Sequence, residues 1–281
     1  VRSTAHRMVA VTHRLMGEIA ISRPFCERAL ELAPDVADAK QVWRLTHDPG
    51  IAARYNLAVI LWHSGEVERS LAMEHEALLR AERIRHGSTL GFALAYIGCM
   101  SAYRRRDFAS LERLCARLIE HARSCRSPMW EAMGRVYRGR VQVERGRAAA
   151  GIEDLEQAIA AFDRMRIRFH KPLYLGMLAE GLLAQHRAGD ALAVLEQAIA
   201  LGEQTGERSH SAELWRLRAQ AAWSGGSGDA RSRCEHDLRL AIDIARVQGS
   251  IMFERRAAVD LTRLQAAVGA NELRWADRQL P

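Results

Sequence analysis

Aromatic residues are scarce in this chain, 6% of 281 residues, while apolar residues reach 48%. A core is available, and its packing falls to Leu, Ala and Ile, as between helices. Nowhere do about 18 apolar residues run together, and no charged-then-apolar signal opens the chain. No membrane span is expected, and the chain is expected to be soluble and cytoplasmic. The cysteines Cys26, Cys99, Cys115, Cys125 and Cys234 include no CxxC pair, which argues against a disulfide framework or zinc ribbon and for small packing residues. Lysine is nearly missing: only Lys40 and Lys171 occur, and arginine supplies the rest of a formal charge of +7. These basic residues are interspersed with acidic ones, so the charge speaks to solubility and nonspecific association more than to a nucleic-acid surface.

Catalytic signatures are missing as well. No GxxxxGK[ST] phosphate loop occurs, and Gly225-Gly226-Ser227-Gly228 is followed by Asp229 instead of lysine. No spacing fixes a nucleophile, a base and an oxyanion donor together, so no catalytic residue and no cofactor is assigned. His121 and Cys125 stand one helical turn apart, but no second pair completes four metal ligands. Arg104-Arg105-Arg106 sits beside Asp107 and reads as a solvated turn. His63, His75, His86 and His186 read as solvated or turn residues.

What the chain does have is repetition. Leu155-Glu156-Gln157-Ala158-Ile159 recurs as Leu195-Glu196-Gln197-Ala198-Ile199, 40 residues on. In that register a small-then-aliphatic pair runs through Ala29-Leu30, Ala77-Leu78, Leu118-Ile119, Ala158-Ile159, Ala198-Ile199 and Ala241-Ile242, at steps of 48, 41, 40, 40 and 43. A period near 40 marks stacked helix pairs, none of which can bury its apolar face alone. The expected fold is all-α, an α-α superhelix of about six helical hairpins plus a capping helix. One continuous array is expected over residues 1–268, with 269–281 an unmatched tail.

In order, the first hairpin turns at Gly17 and closes at Pro34; residues 35 to 47 are a spacer that accounts for the step of 48. Asp48 is placed to cap a helix with Pro49 at its first position, and Ser127-Pro128 repeats that device. The linker Ser224 to Gly228 accounts for the step of 43, and the helix from Ile251 to Ala267 reads as a cap.

Tyr55-Asn56-Leu57-Ala58, Leu61, Gly65, Leu71 and Ala77-Leu78 fall at offsets that resemble a tetratricopeptide (TPR) repeat. Later units place Ala58, Cys99, Gly139, Ala179 and Ala219 in one column, where a small side chain lets two helices approach. The turn column is Gly17, Gly65, Arg106, Gly146 and His186, and the two non-glycine members are expected to close with a different turn. The TPR resemblance implies an inner groove lined by the first helices: Tyr55, Val59 and Trp62; Tyr96, Met100 and Tyr103; Val136, Arg140 and Val143; Gly176, Glu180 and Leu183; Arg216, Gln220 and Trp223. Such a groove would suit a peptide helix or a small ligand. The competing reading is that the aromatic stripe packs hairpin against hairpin. The basic carboxylate clamp of some TPR proteins has only Asn56 near a matching offset.

Longer phrases resemble one bacterial group. They are His47-Asp48-Pro49-Gly50 leading into Leu61-Trp62; His86-Gly87 to Tyr96 with Arg104-Arg105-Arg106-Asp107-Phe108; and Trp130-Glu131-Ala132-Met133-Gly134-Arg135. Further on come Thr205-Gly206-Glu207-Arg208 with Ala212-Glu213-Leu214-Trp215-Arg216-Leu217, and Ala241 to Glu254. Over about Thr46 to Leu264 the chain is similar to the C-terminal TPR region of signalling proteins that carry a STAND-type ATPase beside a class III adenylate/guanylate cyclase or a DNA-binding domain. The resemblance implies a non-catalytic sensor or interaction arm. Its partners would be a protein or peptide, ATPase or cyclase domains in cis or in trans, or a small-molecule effector. The mid-helix character of Val1 fits a truncated product, a split gene or an alternative start. A stand-alone peptide-binding adaptor is the second reading, and a nucleic-acid binder the third.

Overall fold

The computed structural model describes residues 2–33, 47–225 and 229–267. Pro34 and the spacer to residue 46, Gly226 to Gly228 of the linker, and the tail from 268 lie outside them. The described residues form thirteen helices and no strand. They are α1 (Arg2–Leu15), α2 (Ile19–Glu31), α3 (Pro49–His63) and α4 (Val67–Ile84). The run α5 is continuous through Gly87–Phe92, a π-helical Ala93–Cys99 and Met100–Arg104, and is followed by α6 (Phe108–Ser124) and α7 (Pro128–Glu144). Then come α8 (Ala148–Arg164), α9 (Lys171–Ala184), α10 (Ala188–Thr205), α11 (Ser211–Ser224), α12 (Ala230–Gln248) and α13 (Ile251–Ala266). Consecutive helices pack in pairs, which is the expected all-α, α-α superhelix class.

The chain divides into two compact units, Val1–Arg138 and Gly139–Pro281. In the first, α1 pairs with α2, α3 with α4 and α5 with α6, while the first helices also meet one another, α1 with α3 and α3 with α5. Ala10, Ile19, Cys26, Leu57, Ile60 and Leu61 form the apolar seam between the first two hairpins. In the second unit the row of first helices is α9, α11 and α13, and α8, α10 and α12 pack behind it. The helix expected to be a cap therefore stands in the first-helix row, against both α11 and α12.

The small column does what close approach demands. Ala58, Cys99, Ala179 and Ala219 are buried. A Cβ on Gly139 would stand 2.7 Å from the Gly151 carbonyl oxygen, and one on Gly151 would stand 2.5 Å from that of Gly139. Two hairpins share a further tie from the second helix to the first: Ser22 Oγ donates to Ala10 O and Ser70 Oγ to Ala58 O, each at 2.7 Å.

The turn column needs a correction. Gly17, Gly65 and Gly146 take φ of 82°, 81° and 76°, and Arg106 and His186 take 58° and 59°. At all five the amide of the turn residue bonds the carbonyl three residues back, and the next amide bonds the carbonyl five before it. This is the Schellman closure, which satisfies the last carbonyls of the first helix. A non-glycine residue enters the left-handed region at a cost of about 1 kcal/mol, small enough for the hydrogen bonds to prevail. The two units keep the same turn.

Helix starts follow the capping rules. Asp48 Oδ1 accepts from Ile51 N at 2.8 Å with Pro49 first in α3, and Ser127 Oγ accepts from Trp130 N at 3.5 Å. Asp48 is also bound by Arg80 Nε at 3.0 Å, so one carboxylate caps α3 and ties it to α4.

Candidate functional site

In the first unit, the sequence-derived groove residues meet along the α3–α5 contact. Tyr55, Val59, Trp62, Met100 and Tyr103 are buried, and Tyr96 is half-buried. Tyr55 Oη donates to Met100 Sδ at 3.2 Å, and its ring lies 5.5 Å from Tyr96 and 5.8 Å, edge on, from Phe92. Tyr96 in turn meets Trp130 at 6.0 Å. Gly91 makes room for that indole, since a Cβ there would lie 2.6 Å from Trp130 Nε1. Arginines face these rings: Arg14 over Tyr55 at 5.4 Å, Arg104 over Trp62 at 6.0 Å and Arg106 over Tyr103 at 5.3 Å. Asn56 is buried and engaged at both ends of its amide, accepting from Arg14 Nε at 3.0 Å and donating to Ala52 O at 2.7 Å.

Two expectations fail here. Arg104-Arg105-Arg106 is not a solvated turn: Arg104 and Arg106 are buried against rings, and Arg105 pairs with Glu74. A guanidinium stacks on an aromatic face without losing all its hydrogen bonds, which makes this burial tolerable. Desolvation lowers the pKa of Arg104. His63 is buried too, edge on to Trp62 at 5.0 Å. His75 and His186 are exposed, and His86 caps α5. His121 Nε2 is engaged with Gly87 O at 2.7 Å and Cys125 Sγ donates to Ala122 O at 3.6 Å. Among the described residues no three His, Cys, Asp or Glu side chains gather as metal ligands would.

The second unit holds an open pocket of about 280 Å³. Arg140, Glu180 and Gln220 meet there from α7, α9 and α11, one offset repeated at steps of 40 residues, and Val143, Leu183 and Ala184 supply its apolar wall. Glu144 and Ser224 complete the lining. Arg140 is bracketed by carboxylates: its Nε donates to Glu180 Oε2 at 3.0 Å, and Nη1 and Nη2 reach Glu144 Oε2 at 3.4 Å. Gln220 is 5% exposed, and its Nε2 has no hydrogen-bond partner among the described residues.

The remaining groove candidates lie elsewhere. Arg216 is buried at 1% exposure and points to α13, donating to Asp260 Oδ2 at 2.6 Å and to both oxygens of Glu213 at 3.0 Å. Trp223, half-buried, packs on Ala219, Cys234, Leu238 and Leu264. Val136 is buried in the first unit and Gly176 lies against Leu214 of α11. Sequence reasoning missed Glu144 and Asp260. Both had a signal: Glu144 is one turn beyond Arg140, and Asp260 is the next 40-residue step after Gln220.

Paired helices, a small-residue column and Schellman turns at the repeat period define an all-helical, TPR-like repeat protein. No family model matches the chain. It is similar to the uncharacterized protein R02095 of Rhizobium meliloti (strain 1021), with 27% identity over 223 residues, covering 79% of this chain. The chain spans about a fifth of that protein's length, 21%. In fold it is similar to the crystal structure of the apo form of RapI, with a TM-score of 0.54, 11% identity and coverage of 95% of this chain and 98% of that one. No described helix is long and apolar enough to cross a membrane.

Proposed function

We propose that this chain is a non-catalytic TPR-like interaction module that binds a protein or peptide segment along its first-helix row. The observation that carries this reading is the α7–α9–α11 pocket. Three successive repeats place Arg, Glu and Gln at one offset, beside an apolar wall, where a purely structural repeat would fill the position with packing residues. The finer reading is the regulatory arm of a bacterial signal-transduction ATPase or cyclase, in cis or in trans, with residues 1–268 acting as one array. Its support is the ordered set of family-like phrases and a relative of which this chain matches only 21%. A ligand on such an arm would bias an ATPase or cyclase through its differential affinity for two states.

Site-specific photocrosslinking in source cells tests the interaction. A benzoylphenylalanine at Leu183, on the pocket wall, is expected to capture a discrete partner, and one at Ala193, exposed on α10, is not. Equal capture at both positions, or none at Leu183, would count against the reading. An immunoblot for the native product addresses the finer claim: a band well above 31.5 kDa fits an arm in cis, and a band at that mass fits action in trans or a stand-alone adaptor.

A further inference from the structure

The pocket's charge and its unused polar atoms say what it takes. Arg140 contributes one positive charge, while Glu144 and Glu180 contribute two negative ones. The site is therefore acidic by one charge in a chain of formal charge +7. The guanidinium cannot serve an incoming acid, because Glu180 and Glu144 already bracket it. Glu144 is the opposite case: its side chain is 39% exposed, Oε2 holds Arg140, and Oε1 makes no hydrogen bond among the described residues. Across the pocket the Gln220 amide is buried with Nε2 unpartnered, a state that carries a desolvation penalty until a partner arrives. Between the two lie Val143, Leu183 and Ala184. A volume of about 280 Å³ admits one long side chain and falls at the lower edge for a whole drug-sized ligand.

Resting on the interaction-module reading, we propose that this pocket takes a lysine or arginine side chain of a bound peptide segment. The cationic head pairs with Glu144, the aliphatic stem lies on Val143 and Leu183, and the Gln220 amide bonds the adjoining peptide group. An amide suits that last role in either orientation, since a peptide group offers both an acceptor and a donor. Long basic side chains combine an apolar stem with a charged head, which is the pattern the lining presents. A carboxylate or phosphate ligand meets the wrong net charge.

The test is ¹⁵N NMR of the full chain, reading the Gln220 side-chain amide, identified by its loss in Gln220→Leu. The probes are a capped alanine–lysine–alanine tripeptide, its glutamate and norleucine counterparts, and n-butylamine. The lysine tripeptide is expected to shift the amide saturably, the norleucine one to bind about tenfold more weakly and the glutamate one not at all. Glu144→Gln, an exposed position whose fold is checked by the same spectrum, is expected to weaken the lysine tripeptide about tenfold and leave the norleucine one unchanged. Equal binding of lysine and norleucine, preference for glutamate, or no saturable shift overturns the proposal, as does indifference to Glu144→Gln. Butylamine binding as tightly as the tripeptide overturns the peptide part. If the tripeptides fail while crosslinking at Leu183 still captures a partner, this inference falls and the interaction reading stands.

Discussion

Arg216 shows at the residue scale how a charge is kept inside this fold. It is held on one side by Glu213 in its own helix and on the other by Asp260 of α13, and Arg256 Nη1 lies 3.6 Å from Glu213 Oε1. Removing one partner of such a network leaves a buried charge uncompensated, so Asp260→Ala is expected to cost about 3–5 kcal/mol in urea denaturation. Asp190→Ala, which breaks the exposed pair with Arg187, is expected to change little. Equal losses would show that the buried network carries no special weight. His47 gives a pH dependence. It stacks on Phe92 at 4.6 Å, and burial, with Arg7 and His86 adding repulsion against the pull of Asp48, lowers its pKa from 6.5 to about 4. Between those values the unfolded chain binds the proton and the folded one does not, so His47 makes stability fall as pH drops from 6.5 toward 4. His47→Gln is expected to shrink that fall, measured as the change in urea midpoint between neutral and mildly acidic pH. An unaltered pH dependence would refute it.

Turns and helix contacts at the scale of the element show what can be read from a sequence. The hairpin register, the caps at Asp48 and Ser127 and the small column were legible because each is a chemical necessity at one position. The turns at Arg106 and His186 were not, because the left-handed conformation is merely disfavoured for non-glycine residues and hydrogen bonding overrides it. His186 is exposed, so His186→Gly is expected to raise stability by about 1 kcal/mol. Arg106→Gly is expected to gain less, because it forfeits the stack on Tyr103. A lower urea midpoint for His186→Gly would contradict the turn argument. Gly139→Ala is expected to lose about 1–3 kcal/mol by forcing α7 and α8 apart. The π-helical Ala93–Cys99 carried no sequence mark beyond the step of 41 into that hairpin, consistent with the extra residue of a π turn. In the pocket, the 40-residue offsets bring Arg140, Glu180 and Gln220 to one lining. Trp223 lies apart from them, on a side of α11 that α12 and α13 cover.

For the molecule as a whole, a repeat is stable only when both its faces are covered, and the last element of a row must cover without needing cover itself. In the second unit α13 covers the α11–α12 hairpin. Leu261 and Leu264 pack into the seam with Cys234 and Leu238, Ala257 packs on Ala241 and Ile242, and Asp260 neutralises Arg216. Removing residues 251–281 takes away the apolar cover and the counter-charge together. The chain cut at Ser250 is expected to bind the dye ANS strongly, to self-associate in size-exclusion chromatography and to lose helical ellipticity beyond the share of α13 itself. Asp260→Ala in the full chain separates the two effects, since it strands Arg216 but leaves the seam covered, and it is expected to lower stability without ANS binding. If the shortened chain stays monomeric, dark to ANS and as stable as the full one, then the cover that α13 gives is not needed, and the helices α11 and α12 hold together without it.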